Sequence, residues 1–220
     1  MQRLPGRRDP WPFVGLAAAG TFIVLLTLIL AAGGLPFDEP VTRIVQGFAL
    51  PVDGWVAITT LGDGSVLIPV GTALALAALI TGRPRLTLVI AVVLLGGTLF
   101  TEVTKVAVGR PRPPWEHLVD APGFSFPSGH SLNSTAAYGL LAVVAWRTTR
   151  LPRLVRGLAV VAGLVLPLAI GLSRVALGVH YPGDVLGGWS AGLAFVAAGA
   201  VLIAVLRAME RTRLAARAHP

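Results

Sequence analysis

The sequence predicts an all-α membrane protein with six transmembrane helices packed in one bundle. Composition is the first reason, since 55% of the 220 residues are hydrophobic and only 13% are charged, about half the charged share of soluble domains. The second reason is a set of six stretches that contain no Asp, Glu, Lys or Arg: 10–37, 64–82, 86–101, 131–146, 157–173 and 185–206. A transmembrane helix needs about 20 mainly apolar residues, so each stretch marks one predicted span.

The predicted helices follow these stretches in chain order: 12–33, 65–82, 86–108, 130–147, 155–173 and 184–206. The first stretch is longer than the roughly 7–15 apolar residues of a secretory signal peptide, which favours a retained span. The third and fourth stretches are shorter than a full span, and polar residues at one end of each complete the helix. The absence of cysteine excludes disulfides, thiolate metal sites and a cysteine nucleophile.

The segment at 37–50 is too short and too polar to span a membrane. Its apolar side chains recur at roughly helical spacing, at Phe37, Val41, Ile44, Val45 and Phe48. This pattern is typical of an amphipathic helix on the membrane surface, which would lie between the first and second spans. An ordinary ordered loop stays the alternative.

The distribution of arginine predicts the orientation. With six spans, thirteen cations and two acids lie on one side of the membrane, and five cations and eight acids lie on the other. Cytoplasmic loops carry the excess of positive charge, so both termini are predicted to be cytoplasmic. The same bias explains the net charge of +8 without a nucleic-acid partner. We expect a single domain over 1–220, with a basic cytoplasmic tail at 207–220.

Three polar clusters interrupt the apolar pattern, at 105–114, 126–130 and 173–184, and the six-span topology places all three on the outer face. They bring cations to the membrane boundary, where unpaired charges are costly and a bound multivalent anion would relieve their repulsion. The planar fork of arginine matches phosphate oxygens. Ser128 and Gly129 begin a predicted helix, and the free N–H groups there bind anions. The clusters therefore predict a phosphate site that includes Lys105, Arg112 and Arg174.

Two histidines accompany these cations. His180 and Asp184 are four residues apart, and a carboxylate can hold an imidazole in one tautomer while its other nitrogen attacks. His130 follows Ser128 and Gly129, from where it can protonate a departing oxygen. These residues predict phosphoryl transfer through a phosphohistidine.

The clusters resemble the three signatures of the type 2 phosphatidic acid phosphatase (PAP2) superfamily, K-x6-R-P, P-S-G-H and S-R-x5-H-x3-D. Here they read Lys105-x6-Arg112-Pro113, Pro127-Ser128-Gly129-His130 and Ser173-Arg174-x5-His180-x3-Asp184. The resemblance implies a six-helix membrane fold, no metal and no other cofactor. It assigns the nucleophile to His180, the acid to His130 and the orienting carboxylate to Asp184. Phosphate binding falls to Lys105, Arg112, Ser128, Gly129 and Arg174.

The compact chain resembles the bacterial members that dephosphorylate undecaprenyl diphosphate, phosphatidylglycerol phosphate or phosphatidic acid. Among these substrates the resemblance slightly favours undecaprenyl diphosphate. The expected place is the bacterial cytoplasmic membrane, with the site facing the extracytoplasmic side and the lipid bilayer and a lipid phosphate as partners. Two alternatives stay open: a phosphatase or phosphotransferase for a soluble or glycolipid phosphate, and a non-catalytic lipid-binding or transport protein. Substrate headgroup and oligomeric state are not predicted.

Four further polar residues flank the predicted site. Glu102 precedes Lys105 by three residues and is interpreted as a structural partner for a cation. Asp63, between Gly62 and Gly64, is interpreted as a turn residue, and His117 as a loop residue rather than a substrate contact. For Arg110, contact with a headgroup and exposure to water are equally favoured.

Overall fold

The computed structural model describes residues 9–48 and 50–218, without the side chains at 211 and 213–218. All regular secondary structure in these residues is helical, which confirms the all-α prediction. The helices are α1 (Trp11–Ala32), α2 (Asp38–Gln46), α3 (Val52–Thr60), α4 (Gly64–Ile80), α5 (Pro84–Val108), α6 (Gly129–Arg147), α7 (Arg153–Ala176) and α8 (Pro182–Ala218).

Five helical segments of the described chain are long and apolar enough to cross a membrane: Trp11–Ala32, Val52–Ile80, Pro84–Val108, Arg153–Ala176 and Pro182–Glu210. The second of them combines α3 and α4 across a short turn. The remaining predicted span, the fourth at 130–147, coincides with α6, whose first half carries His130, Ser131, Asn133 and Ser134. The helix α6 packs against α4, α5, α7 and α8, so its surroundings are mainly protein. Its side chains therefore do not have to be as apolar as those of a helix that faces lipid. The count of six spans stays a prediction.

Within the segment at 37–50, Asp38–Gln46 forms the helix α2, which confirms a helix there. Its position on the membrane surface stays a prediction. Its buried side differs from the expected apolar face, because Asp38, Thr42 and Val45 point inward while Ile44 is 64% exposed. The buried polar side chains have partners inside the bundle, which the hydropathy pattern could not reveal.

Two other features differ from the sequence prediction. The helix α3 was not predicted, because Asp53 and Gly54 interrupt the apolar pattern near its start. The last helix continues to Ala218 instead of ending at 206, so most of the basic segment is a helical extension of α8.

Aromatic packing fixes the segment that leads into α6. Phe126 is fully buried, and its ring centroid lies 5.7 Å from that of Phe22 on α1. The ring of Phe22 in turn contacts Phe100 on α5, at a centroid distance of 5.3 Å. This cluster holds the chain directly before Pro127 and Ser128, where α6 begins.

Candidate active site

The three polar clusters meet at one end of the bundle. The backbone N–H of Ser128 donates to the carbonyl oxygen of Asp184 at 3.0 Å, and a guanidinium nitrogen of Arg112 lies 3.2 Å from Nε2 of His180. A Cβ atom placed on Gly129 would lie 3.7 Å from the ammonium nitrogen of Lys105. The structure therefore brings together residues that are up to 79 positions apart in the sequence.

His180 lies between α7 and α8, and its two ring nitrogens have different partners. Nδ1 is 3.4 Å from Oδ2 of Asp184, and Nε2 is 3.2 Å from Nη1 of Arg112. Since arginine can only donate hydrogen bonds, Nε2 is the accepting nitrogen and Nδ1 carries the proton. This tautomer leaves the lone pair of His180 on the nitrogen that faces Arg112.

The environment of His180 also favours its neutral form. The side chain is almost completely buried, and burial lowers the pKa of His180 from 6.5 to about 4. Arg174 and Arg112 contribute to this lowering, while the hydrogen bond and charge of Asp184 oppose it. A neutral imidazole, with a lone pair on its unprotonated nitrogen, is the form that can act as a nucleophile.

Asp184 is fully buried and accepts hydrogen bonds at both carboxylate oxygens. Arg110 donates to Oδ1 at 2.5 Å, and the backbone N–H of Tyr181 donates to Oδ2 at 2.9 Å. The hydroxyl of Ser125 also donates to Oδ2. These contacts fix the carboxylate in the position from which it meets the Nδ1 atom of His180.

Arg110 joins this carboxylate to a second one. Its Nη2 atom lies 2.7 Å from Oδ2 of Asp38, and its Cζ atom lies 4.1 Å from the centre of the Tyr181 ring. Asp38 also accepts hydrogen bonds from the backbone N–H groups of Leu35, at 2.9 Å, and Gly183, at 2.8 Å. We call Asp38, Arg110 and Asp184 the buried carboxylate–arginine chain. Both expectations for Arg110 were wrong, because the side chain is only 4% exposed and bound by these carboxylates.

Arg174, near the end of α7, is buried and points toward α3. Its Nη1 atom donates to the hydroxyl of Thr59 at 2.9 Å. Its Nε atom is also buried and makes no hydrogen bond within the described residues. A buried N–H group without an acceptor is unfavourable, so this donor is available to an incoming anion.

Arg112 is held in the loop that follows α5. Three carbonyl oxygens accept its hydrogen bonds: those of Val179 at 2.7 Å, Pro122 at 2.9 Å and Gly123 at 3.1 Å. This network holds the guanidinium beside His180.

The start of α6 has the geometry of an anion site. Ser128 is the N-cap, and its hydroxyl accepts from the backbone N–H of Ser131 at 3.4 Å and from the Ser131 hydroxyl at 3.0 Å. The absence of a side chain on Gly129 lets the first turn of α6 approach α5 closely, because a Cβ atom there would lie 3.2 Å from Cγ2 of Thr101. The helix N-terminus, with its free N–H groups, thus lies next to the lysine ammonium.

His130 has a carboxylate partner from another part of the chain. Its Nε2 atom lies 2.7 Å from Oδ1 of Asp63, in the turn between α3 and α4. Gly62 permits this approach, because a Cβ atom at that position would lie 3.1 Å from Cδ2 of the His130 ring. Asp63 lies in a turn, as the sequence indicated. It also contacts His130, the predicted acid, and the sequence interpretation had not favoured a role near the site for Asp63.

The other flanking residues have structural partners. Glu102 lies 3.3 Å from Nζ of Lys105, which confirms its interpretation as a partner for a cation. The Nε2 atom of His117 lies 2.9 Å from the carbonyl oxygen of Pro113, within its own loop. Sequence reasoning missed Asp38, Thr59 and Ser125, which lie outside all three signatures.

Comparisons with known proteins agree with this geometry. The PAP2 superfamily model matches residues 86–209, more than half of the chain. The chain belongs to the PAP2 superfamily. The matched region contains all three polar clusters, while Asp38, Thr59 and Asp63 precede it.

Two curated relatives and one solved structure cover most of the chain. Phosphatidylglycerophosphatase B of Bacillus subtilis is 36% identical over 180 residues, covering 78% of this chain and 86% of the relative. A decaprenylphosphoryl-5-phosphoribose phosphatase of Mycolicibacterium smegmatis is 34% identical over 176 residues, covering 78% and 83%. The crystal structure of a transmembrane PAP2-type phosphatidylglycerolphosphate phosphatase from Bacillus subtilis superposes with a TM-score of 0.77 at 27% identity, covering 85% of this chain and 94% of that one.

These similarities confirm two predictions. The chain is a phosphate-ester hydrolase of the PAP2 superfamily, and it has the fold of a transmembrane PAP2 protein. Together with the long apolar helices, they show a multi-pass membrane protein.

Proposed function

We propose that this PAP2 protein hydrolyses a lipid phosphate or diphosphate through a phosphohistidine formed on His180. The contacts of His180 carry the proposal, because they hold its Nδ1 toward Asp184 and leave the Nε2 lone pair beside Arg112. This arrangement places a neutral nucleophile next to a cation that can bind the phosphate under attack.

In the first step, Nε2 of His180 attacks phosphorus, a P–N bond forms and the P–O bond to the leaving group breaks. The departing oxygen takes a proton from His130. In the second step, His130 takes a proton from water, the resulting oxygen attacks phosphorus, and the P–N bond breaks to release inorganic phosphate. Asp184 stabilises the positive charge on the His180 ring during both steps.

The phosphate oxygens are bound by the cations and helix terminus that surround this point, namely Lys105, Arg112, Ser128, Gly129 and Arg174. The unpaired Nε atom of Arg174 supports this role. Preorganised donors of this kind stabilise the charge that develops during phosphoryl transfer. Asp63 is a positioning residue in this mechanism, since it holds Nε2 of His130 and leaves Nδ1 to serve the leaving oxygen.

The topology belongs to the same proposal. The chain forms a single domain of six spans in the bacterial cytoplasmic membrane, with α6 as the central span and both termini in the cytoplasm. The arginine bias supports this orientation, which places the site at the extracytoplasmic face. His219 and the first three arginines of the sequence lie outside the described residues.

Phosphatidylglycerophosphate is the first candidate substrate, because a curated relative and the solved structure are both named for that reaction. The test is phosphate release by the purified protein in detergent, with and without EDTA. The panel contains phosphatidylglycerophosphate, undecaprenyl diphosphate, phosphatidic acid and a soluble phosphomonoester. We expect release from a lipid, retained in EDTA and lost in His180→Gln. No release from any lipid by a folded preparation would contradict the proposal.

A glycolipid phosphate is the second candidate, supported by the decaprenylphosphoryl-5-phosphoribose phosphatase relative. Adding a polyprenyl-phosphoryl sugar phosphate to the same panel separates the two. A higher kcat/KM on that compound than on phosphatidylglycerophosphate would favour the second candidate.

A further inference from the structure

A cavity lies at the opposite end of the bundle from the candidate active site. Its volume is about 560 Å³, and it is formed by the α4–α5 turn, the α6–α7 loop and the later part of α8. Arg85 lines it near the start of α5, twenty residues before Lys105 on the same helix. At 1.5 Å per residue, this spacing separates the two sites by about 30 Å.

Positive charge dominates the lining of this cavity. Five arginines and one carboxylate, Glu210, line it, the arginines being Arg83, Arg85, Arg147, Arg150 and Arg207. Glu210 is 3.3 Å from Arg85, and Asp9, outside the lining, is 3.7 Å from Arg147. Within the described part of the chain, Arg83 and Arg150 form no ion pair. The cavity therefore keeps an excess of positive charge that an anion would balance.

The deeper wall of the cavity is apolar. It includes Leu86, Val89, Ile203 and Leu206, of which Val89 and Ile203 are buried in the core. Thr148 and Thr149 add hydroxyl groups near the arginines. A charged opening above an apolar wall suits an amphiphile whose headgroup is anionic and whose chains continue along the helices.

Topology alone does not require this arrangement. The positive-inside rule requires an excess of Lys and Arg in cytoplasmic loops near the ends of the spans. Arginines that are scattered over these loops and exposed to water are enough to satisfy it. Here arginines from three separate segments converge on one cavity that also has an apolar wall. Arg153, three residues after Arg150, lies on the same side of the bundle but does not line the cavity, so it serves as a matched comparison.

We propose that this cavity binds the headgroup of an anionic phospholipid from the leaflet opposite the active site. The arginines bind the phosphate oxygens, and the acyl chains run along the apolar wall formed by α5 and α8. The bound lipid stabilises the packing of the α4–α5 turn against α8. This site is separate from the substrate site, and its occupant is not hydrolysed.

The test compares the full chain in nanodiscs of phosphatidylcholine alone with nanodiscs that contain increasing amounts of cardiolipin. The readouts are thermal unfolding and cardiolipin retained after mild extraction, measured by native mass spectrometry. We expect a saturable rise in the unfolding temperature, and we expect Arg83→Gln/Arg150→Gln to weaken the apparent affinity by roughly tenfold. Arg153→Gln should behave as the unmodified protein, and Arg83→Lys/Arg150→Lys should keep most of the effect.

Three results would overturn the proposal. One is a rise in unfolding temperature with cardiolipin that is equal in Arg83→Gln/Arg150→Gln and in the unmodified protein, when both proteins unfold at the same temperature in phosphatidylcholine alone. Another is an equal loss in Arg153→Gln, which would show a general effect of surface charge. The third is a full rise in unfolding temperature with inorganic phosphate alone, lost in the double variant, which would show a site for free anions instead of a lipid.

Discussion

The Nε2 atom of His130 lies 2.7 Å from Oδ1 of Asp63, and this contact joins the turn between α3 and α4 to the start of α6. The two residues are 67 positions apart, and Asp63 lies outside the region matched by the family model. A carboxylate in this position orients the imidazole and stabilises its protonated form. In the proposed mechanism, Asp63 therefore prepares His130 to donate a proton from Nδ1.

Asp63→Asn should lower kcat by about ten- to a hundredfold and leave KM nearly unchanged, because the acid is still present but poorly held. The alkaline limb of the pH–rate profile should also move to lower pH, since the amide no longer stabilises the protonated imidazole. Asp63→Glu should restore part of the rate. Steady-state kinetics across pH measures both effects.

The matched control is Glu39→Gln, which removes an exposed carboxylate that pairs with Arg43 on α2. It should leave kcat and the pH profile unchanged. A normal profile in Asp63→Asn would show that the contact with His130 has no part in catalysis.

The pH dependence at the acid side follows from the burial of His180. Its pKa is lowered to about 4, so the imidazole stays neutral at all pH values above that point. The acid limb of kcat/KM should therefore lie near pH 4 and not near the ordinary value of about 6.5. An acid limb at the ordinary value, absent from a substrate-only control, would contradict the neutral buried nucleophile.

The same shift predicts a loss of stability in acid. Between about pH 6.5 and 4 the unfolded chain protonates His180 while the folded chain does not, so the unfolding free energy falls by up to about 1.4 kcal/mol per pH unit. Above that window the contribution is constant. Thermal unfolding of His180→Gln should show a weaker dependence on pH, whereas His117→Gln, in an exposed loop, should match the unmodified protein.

Removal of Arg110 should be strongly destabilising. The substitution Arg110→Gln leaves Asp38 and Asp184 buried close together without their shared cation, a change that typically costs about 3–5 kcal/mol. Arg43→Gln, which breaks an exposed pair on α2, should change stability by less than about 1 kcal/mol. Denaturation in detergent compares the two, and similar stability would mean that the buried carboxylate–arginine chain is unimportant for the fold.

Thr59 should affect substrate binding through Arg174. Thr59→Val removes the acceptor of the Arg174 Nη1 hydrogen bond, so the guanidinium is less well held and KM should rise by about three- to tenfold. Thr60→Val is the matched control, because the Thr60 hydroxyl bonds to Val56 within its own helix. An equal KM in both variants would exclude a positioning role for Thr59.

The sequence predicted the parts of this protein that depend on local pattern. Uncharged stretches located the long helices, because the lipid interior selects for apolar composition wherever a helix faces it. The same criterion is weaker for α6, which is surrounded by other helices and carries His130, Ser131 and Ser134. Residues of the three signatures were also found, since their types and spacing carry chemical meaning.

The supporting contacts could not be predicted, because they join residues that are distant in the sequence. Asp38 lies in a short amphipathic segment, and nothing local indicates that its carboxylate meets Arg110, 72 residues later. Asp63 lies between two glycines, so a turn was the simplest interpretation, and only the fold brings it to His130. Arg110 was misjudged for the same reason, since its burial depends on two carboxylates from other helices.

The most direct test of the mechanism is a search for the phosphohistidine itself. The purified protein is mixed with radiolabelled phosphatidylglycerophosphate, or with whichever panel lipid it hydrolyses fastest, and quenched in alkali within milliseconds. Peptide mapping then locates the label. The mechanism predicts an acid-labile, alkali-stable phosphoryl group on His180 that forms and decays during turnover and is absent in His180→Gln. Turnover at the full rate with no label on His180 under any quench would contradict a covalent intermediate there.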